Sequence, residues 1–392
     1  MNSSLPVLAR EATDEELGAW DGIVRQFPNY RFTHLSAWTR SLPQSHRARP
    51  IFLVAERERE IVGCMPGILV SVGPLRLFGS PLVGSQTISL GPAYDPTRVS
   101  TRELMDTFTA HLERRHGVHH VELISTALDD ESMHELGFRG EEMVTCRGPL
   151  YPGDEARTFR GLKESARRNI KRAERLGLTV RFEHGPDFVA EHHAQIEEVF
   201  ARGGNRVPFG ESRVRHFVEY MHDAGCLVGV SVLLPDGVTR IATGTFTIEA
   251  GELALWMWAH RTQARWYRPT ELMTWTVMQK AMAAGCTSVD FMGPGSFKGV
   301  FGATPDNGKR RWIRSRVPFL LRARELAQQG YRWQQSARGR LARARLERAG
   351  ALDDGPHSDG QTVHHTVRNG PLTPKEILRA LFPGRPGVTD TT

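Results

Sequence analysis

The stretch from Leu227 to Gly295 constrains the fold more than any other part of the chain. Leu227 to Leu234 and Arg240 to Glu249 read as strands joined by the turn Pro235-Asp236-Gly237. Leu253 to His260 is a third apolar run. Thr270 to Ala284 has helical periodicity and stops at Gly285. Ser288 to Met292 is a further strand that runs into Gly293-Pro294-Gly295. Three strands in a meander, then a helix, then a strand require a mixed, mostly antiparallel sheet with helices packed on it.

The first half follows the same order more loosely. A helix is expected over Asp14 to Gln26, capped by Thr13, with Leu17, Trp20, Ile23 and Val24 at helical spacing. Pro50 to Ala55 and Ile61 to Val70 form a hairpin pattern, with short strands at Leu75 to Phe78 and Thr87 to Leu90. Thr101 to His116 is a helix closed by Gly117, followed by a strand over His119 to Ser125. A short helix over Asp129 to Leu136 and a closing strand over Val144 to Leu150 complete this half. No residues repeat between the halves, so the duplication is one of pattern. The fold class is therefore α/β (α+β) with two tandem units, over residues 1–150 and 151–315. An Arg-rich helix over 316–350 and a flexible tail over 351–392, with a short helix at Pro374 to Leu381, follow them. The length of 392 residues suits this division, since a domain takes about 100–200 residues.

The net charge is +7, yet Arg310 to Gly350 alone holds twelve arginines against Glu325 and Glu347, which leaves the remainder of the chain at −3. Basicity therefore belongs to one segment. That segment is expected to be a solvated surface helix, with an anionic membrane surface or tRNA as its alternative partner. Four isolated cysteines, Cys64, Cys146, Cys226 and Cys286, offer no CxxC pair and read as small core residues in a reducing cytoplasm. Met1 to Arg10 lacks a basic start followed by an apolar run, so no secretory leader is expected, and no apolar run approaches the length needed to span a membrane.

Two stretches can carry chemistry. Phe159 to Leu176 reads as one helix with Lys163, Arg167, Lys171 and Arg175 at i, i+4 spacing and Arg168 beside them. Such a ladder suits a polyphosphate or nucleic acid; the plainer alternative is a solvated charged face. Asp290 to Gly302 ends a strand in a glycine loop from which Lys298 emerges between Phe297 and Phe301. A lysine held there can neutralise a phosphate or a developing oxyanion. Trp256 and Trp258 alternate on a strand and are expected on one face, as an acceptor wall or a base-stacking platform. His260, Glu271 and Asp290 are candidate general bases, and the sequence does not choose among them. The adjacent histidine pairs and the lack of HExxH argue against a metal site.

Ser165-Ala-Arg-Arg-Asn-Ile-Lys-Arg-Ala-Glu-Arg-Leu-Gly177, Ala281-Met-Ala-Ala-Gly-Cys-Thr-Ser-Val-Asp290 and Phe297-Lys298-Gly-Val-Phe301-Gly302 resemble Fem-type motifs. More broadly, they resemble the FemAB-like, or BioF2-like, acetyltransferase group of the GNAT superfamily. The resemblance is strong over about Phe159 to Pro305 and weaker through Thr33 to Leu150. It implies two GNAT-like domains with an acceptor cleft between them, and makes Lys298 the lysine that stabilises the acyl-transfer transition state. It implies no bound cofactor, only a donor substrate: acyl-CoA, as in ordinary acetyltransferases, or aminoacyl-tRNA, as in Fem-type enzymes. The acceptor would be an amine. One departure stands out. Where CoA enzymes carry a glycine loop, this chain reads Arg265-Trp-Tyr-Arg268-Pro-Thr270, so Arg265 and Arg268 would have to grip phosphate through their side chains. A non-catalytic polyanion-binding protein is the rival class, and the effect of removing Lys298 separates the two.

Overall fold

The computed structural model describes residues 5–42, 48–87, 89–317 and 319–320. The first half contains β1 (Leu8–Glu11), α1 (Asp14–Val24), α2 (Ser36–Ser41), β2 (Arg49–Arg57), β3 (Glu60–Val72), β4 (Leu75–Ser80), β5 (Ala93–Tyr94), α3 (Thr101–His116), β6 (His120–Ser125), α4 (Asp130–Glu135) and β7 (Arg139–Pro149). The second contains α5 (Glu155–Gly161), α6 (Glu164–Arg175), β8 (Thr179–Phe182), α7 (Pro186–Arg202), α8 (Glu211–Asp223), β9 (Leu227–Leu233), β10 (Arg240–Glu249), β11 (Glu252–His260), α9 (Pro269–Ala283), β12 (Ser288–Asp290) and β13 (Thr304–Ser315).

The two halves repeat a design. In each, three consecutive strands run antiparallel, a helix crosses over, and the next strand pairs parallel with the third: β4 with β6 across α3, and β11 with β12 across α9. Local signals set the ends of these elements. Thr13 and Glu16 form a capping box on α1, and Gly117 closes α3 at φ 59°, a conformation glycine adopts without strain. The halves then exchange strands. The central order β6-β13-β7-β12 places β13, from the end of the second half, against β6 of the first, and β7 of the first half against β12 of the second. One thirteen-stranded sheet results among the described residues.

The exchanged strand is held by charge as well as by backbone. Lys309 donates to Asp290 at 2.6 Å, and Arg311 pairs with Glu122; all four side chains are at most 4 % exposed. Arg310, Arg314 and Arg316 pair with Asp130 and Glu113 at 2.8–3.8 Å. Four arginines of the basic run are thus engaged here in ion pairs. The expected helix over Arg316 to Ala349 and the short helix at Pro374 to Leu381 lie outside the described residues, apart from the first few positions.

Three expectations change. The single helix over Phe159 to Leu176 is two helices, α5 and α6, because Leu162 and Lys163 adopt extended backbone at ψ 147° and 149°. Leu162 buries itself there, and the Lys163 N–H donates to Val300 O at 2.9 Å instead of continuing a helix. Thr87, Ser89 and Leu90 form no strand: the Leu90 N–H bonds Ile124 O and the Thr87 hydroxyl accepts from Trp38, isolated contacts rather than a ladder. The third change is at the tryptophans. Thr245 pairs with Met257 and Phe246 with Leu255, so Trp256 is the extra residue of a β-bulge. The bulge breaks the alternation. Trp256 stacks on Phe217 of α8 at 4.1 Å, while Trp258 points to the other face, against Phe291, Phe297 and Phe301.

Two apolar layers follow. One lies under α6 and α9 and includes Ile170, Met273, Met278 and Phe291. The other is shared by both halves, with Trp20, Trp38 and Phe52 from the first and Phe188, Phe217 and Trp256 from the second. A third cluster around Phe78, Phe108 and Trp312 is confined to the first half and β13. All four cysteines are free and buried, as core residues would be.

Candidate active site

β11 and β12 touch over three residues only, Glu252–Ala254 against Ser288–Asp290. Beyond Ala254, β11 continues to His260, whereas the chain after Asp290 turns away into the Gly293–Gly295 loop and a 3-10 turn over Ser296–Phe301. The strands therefore splay into a wedge. Trp258, Phe291, Phe297 and Phe301 line it, with ring centroids 5.5–5.9 Å apart. These four rings pack against one another and make the wedge apolar.

Lys298 sits at the base of this turn, 4 % exposed. Its Nζ donates to Met292 O at 2.6 Å and to Gly293 O at 2.8 Å. Burial pushes its ammonium pKa down to about 8 despite the nearby Asp290. Met292 is held in left-handed backbone at φ 56°, an uncommon state for a side-chain-bearing residue. That conformation turns its carbonyl toward Lys298 while its N–H donates to Asp290 Oδ1 at 2.8 Å. Gly302 ends the turn at φ 77°, and a Cβ there would lie 3.0 Å from Gly161 O, so the closing glycine serves both geometry and close packing on α5.

Asp290 has no exposed surface and is fully engaged. Burial opposes its ionisation, but Lys309, the Thr145 hydroxyl and the Met292 N–H together hold its carboxyl below the ordinary range. It is an ionised carboxylate whose oxygens are already occupied, and it joins β12 to β7 and β13. Lys309 and Thr145 were not singled out from the sequence. A lone lysine in a polar stretch and a threonine on a strand give no signal until the strand exchange brings them together.

The open end of the wedge is basic. His260 ends β11, with Arg202 Nη1 at 3.3 Å from its Nε2 and Thr270 Oγ1 at 3.4 Å from its Nδ1. Burial, then Arg202, Arg268 and Arg265 in turn, push its pKa down to about 3. His260 is therefore a neutral, weakly basic imidazole with Arg202 in contact and the positive charges of Arg268 and Arg265 acting on it. Arg265 and Arg268 lead into the N-terminus of α9, where the helix dipole adds to their charge, and Arg202 lies on the His260 side. Arg268 caps α9 in left-handed backbone at φ 56°, directly before Pro269 at the first helical position. Arg265 lies 4.9 Å over the Trp266 ring, and Trp266 itself is 58 % exposed. Beside them opens a cavity of about 600 Å³ lined by Leu234, Arg240, Ile241, Arg261, Ala264 and Tyr267, among others. Arg261 and Arg240 are anchored there by Glu191 and Glu183.

Glu271 is 5 % exposed and accepts from Asn169 Nδ2 at 2.8 Å, which ties α6 to the start of α9. Of the basic ladder, Lys171 and Arg168 are exposed on α6 and Arg168 pairs with Glu164 at 3.0 Å. Arg167 is half-buried with an unpartnered Nε, and Lys163 has become the cap of α6. The predicted residues thus fall into two groups. Asp290 and Lys298 sit at the base of the wedge. His260, Arg265, Arg268 and Glu271 sit at its mouth, with α6 alongside.

Residues 160–302 match the family model described as an acetyltransferase (GNAT) domain. No curated protein matches the sequence. Among solved structures the chain is similar to FemX, at 15 % identity and TM-score 0.63, over 80 % of this chain and 99 % of that one. It is also similar to a tandem GNAT protein from the clavulanic acid biosynthesis pathway, at 11 % identity and TM-score 0.50, over 80 % and 98 %. A conserved protein from Bacteroides thetaiotaomicron gives 10 % identity and TM-score 0.51, over 78 % and 98 %. These likenesses are of fold. They agree with two GNAT-like units in tandem and with the FemAB-like reading of the sequence. No helix among the described residues is long and apolar enough to cross a membrane.

Proposed function

We propose, starting from the match of residues 160–302 to the acetyltransferase (GNAT) domain, that this chain is an N-acyltransferase that moves an acyl group from acyl-CoA to an amine. The observation that carries this reading is the splaying of β11 from β12, with Arg265 and Arg268 leading into the N-terminus of α9 and Arg202 against His260 at the end of β11. The donor's phosphates would lie at the mouth against Arg202, Arg265 and Arg268. Its acyl arm would run into the aromatic wedge toward Lys298. A neutral acceptor amine then attacks the carbonyl carbon directly. The C–N bond forms, negative charge builds on the carbonyl oxygen, and collapse expels the CoA thiolate, which takes up the proton the amine sheds. Met292 and Gly293 carbonyls use two N–H groups of Lys298, which leaves the third for the developing oxyanion.

One observation favours a second donor. The mouth is built by side chains around Arg268-Pro269 and not by a glycine loop, and α6 presents Arg168, Lys171 and Arg172 to solvent beside it. A bulkier polyanion such as aminoacyl-tRNA suits that surface. A binding titration against acetyl-CoA and against aminoacyl-tRNA, each at two salt concentrations, separates the donors. Saturable CoA binding at both salts supports the acyl-CoA reading. Tight tRNA binding that weakens steeply with salt, without a CoA signal, replaces it. Binding of neither, with no acyl transfer to any amine offered, removes the enzymatic reading.

A further inference from the structure

Among the described residues, Arg213 is the one buried cation in the shared core that has no carboxylate beside it. It lies in the first turn of α8, 3 % exposed. Nη1 donates to Ser41 Oγ at 3.0 Å, from α2 of the other half. Nη2 has no partner. The guanidinium lies between two indoles, 5.4 Å from the Trp38 ring centroid and 5.5 Å from that of Trp256. The Trp256 Nε1–H is also without a partner, and so is the Thr39 hydroxyl two residues before Ser41. Two orphaned donors from the second half therefore lie close together at the seam with the first, the guanidinium 5.5 Å from the centroid of the indole that carries the other. Burial alone governs the ionisation of Arg213, pushing its pKa down to about 10, and no acid counters it.

Other buried cations are compensated: Lys309 has Asp290, Arg311 has Glu122, and Lys298 donates to two backbone carbonyls. A buried charge without a partner is costly, and a buried donor without an acceptor adds to the cost. Cation–π contact with two indoles offsets part of it but supplies no hydrogen-bond acceptor. The missing component is an anionic oxygen.

We infer that Arg213 and the Trp256 indole N–H form a carboxylate-binding site at the seam between the halves. Charge selects the class. One guanidinium without a second cation balances a monoanion, whereas a phosphate, carrying more than one negative charge near neutrality, would leave excess charge between the two indoles. The β-bulge at Trp256 is what turns that indole to this face, away from the aromatic wedge. This inference rests on the acyl-transfer reading only in its last step: a carboxylate held at the seam makes the acceptor an amino acid or a peptide with a free carboxylate.

Thermal unfolding of the full chain, titrated with acetate, glycine or phosphate against chloride at matched ionic strength, tests the site without using turnover. The expected result is a saturable rise in Tm with acetate and glycine but not with chloride. Arg213→Met should abolish the rise while leaving the ligand-free chain as stable as wild type or more so. Trp256→Phe keeps the ring, removes the N–H, and should weaken carboxylate binding by about tenfold. A wild-type chain whose Tm ignores carboxylates overturns the site, as does an Arg213→Met chain that is less stable yet still shifts. A rise with phosphate alone overturns the carboxylate assignment. If neither variant folds, the wild-type titration still decides. Carboxylate binding without acyl transfer would sink the functional reading and leave this site standing; transfer without carboxylate binding would do the reverse.

Discussion

Lys298 and Lys309 are both buried, eleven residues apart, and both stand near Asp290, yet they are built differently. Lys309 spends its charge on Asp290 at 2.6 Å, inside an exchanged strand. Lys298 has no carboxylate in contact and is held by two backbone carbonyls at a strained turn. A cation that is neutralised by a fixed partner serves the fold. A cation kept in place by neutral dipoles retains its charge for something else. The contrast teaches how to separate structure from chemistry when two lysines share a neighbourhood.

The contrast breaks most readily at Lys309. Lys309→Met leaves Asp290 buried without its contacting cation, and should cost about 3–5 kcal/mol in chemical denaturation. Adding Asp290→Asn to that variant should recover most of the loss. If Lys309→Met is tolerated, the pair is not what fixes β13, and the two lysines are equivalent after all.

Lys298→Met should invert the pattern. Removing a charge that burial disfavours should change stability by less than about 1 kcal/mol, while kcat/KM falls by about 10²–10³-fold. A pH series sharpens the point. Its folded pKa, about 8, lies below the unfolded value of 10.5, so between those limits the unfolded chain carries a proton the folded chain lacks. Stability should therefore rise with pH through that window on account of this group, and Lys298→Met should flatten the rise. Equal losses of stability at Lys298 and Lys309 would make Lys298 a structural anchor of its loop.

Much of this was legible in the sequence. The element order from Leu227 to Met292 anticipates β9 through β12, and the motif around Lys298 points to the turn that carries it. What escaped has a common cause. The helix break at Leu162-Lys163, the bulge at Trp256 and the pairing of Lys309 with Asp290 depend on contacts made by distant residues: Val300 O for the first, the Thr245–Met257 register for the second, strand exchange for the third. Periodicity reports only what neighbours along the chain prefer, and it assigned the two tryptophans to one face because it assumed an unbroken strand. Arg213 was invisible for the same reason, since a lone arginine in an amphipathic helix reads as surface.

At the mouth the contrast becomes one of donor binding against chemistry. Arg265→Ala and Arg268→Ala should each raise the donor KM by about tenfold and leave kcat within about twofold, because each removes one charge-assisted contact to phosphate and nothing at the reacting carbonyl. A fall in kcat alone would move these arginines from binding to the transition state and erase the division between mouth and base.

The smallest effect is expected on α6. Arg168 and Glu164 are more than 70 % exposed, so their 3.0 Å contact is a surface ion pair. Arg168→Ala should therefore leave stability within about 0.5 kcal/mol. Its charge matters only if a long polyanion lies along the helix. With CoA as the donor, KM should not move. With tRNA, affinity should fall slightly and the slope of log affinity against log salt should shrink by about one, since one fewer phosphate contact releases one fewer counterion. The weakest mutation in the series thus discriminates the two donors best, because it lies beyond the reach of the smaller one and under the larger.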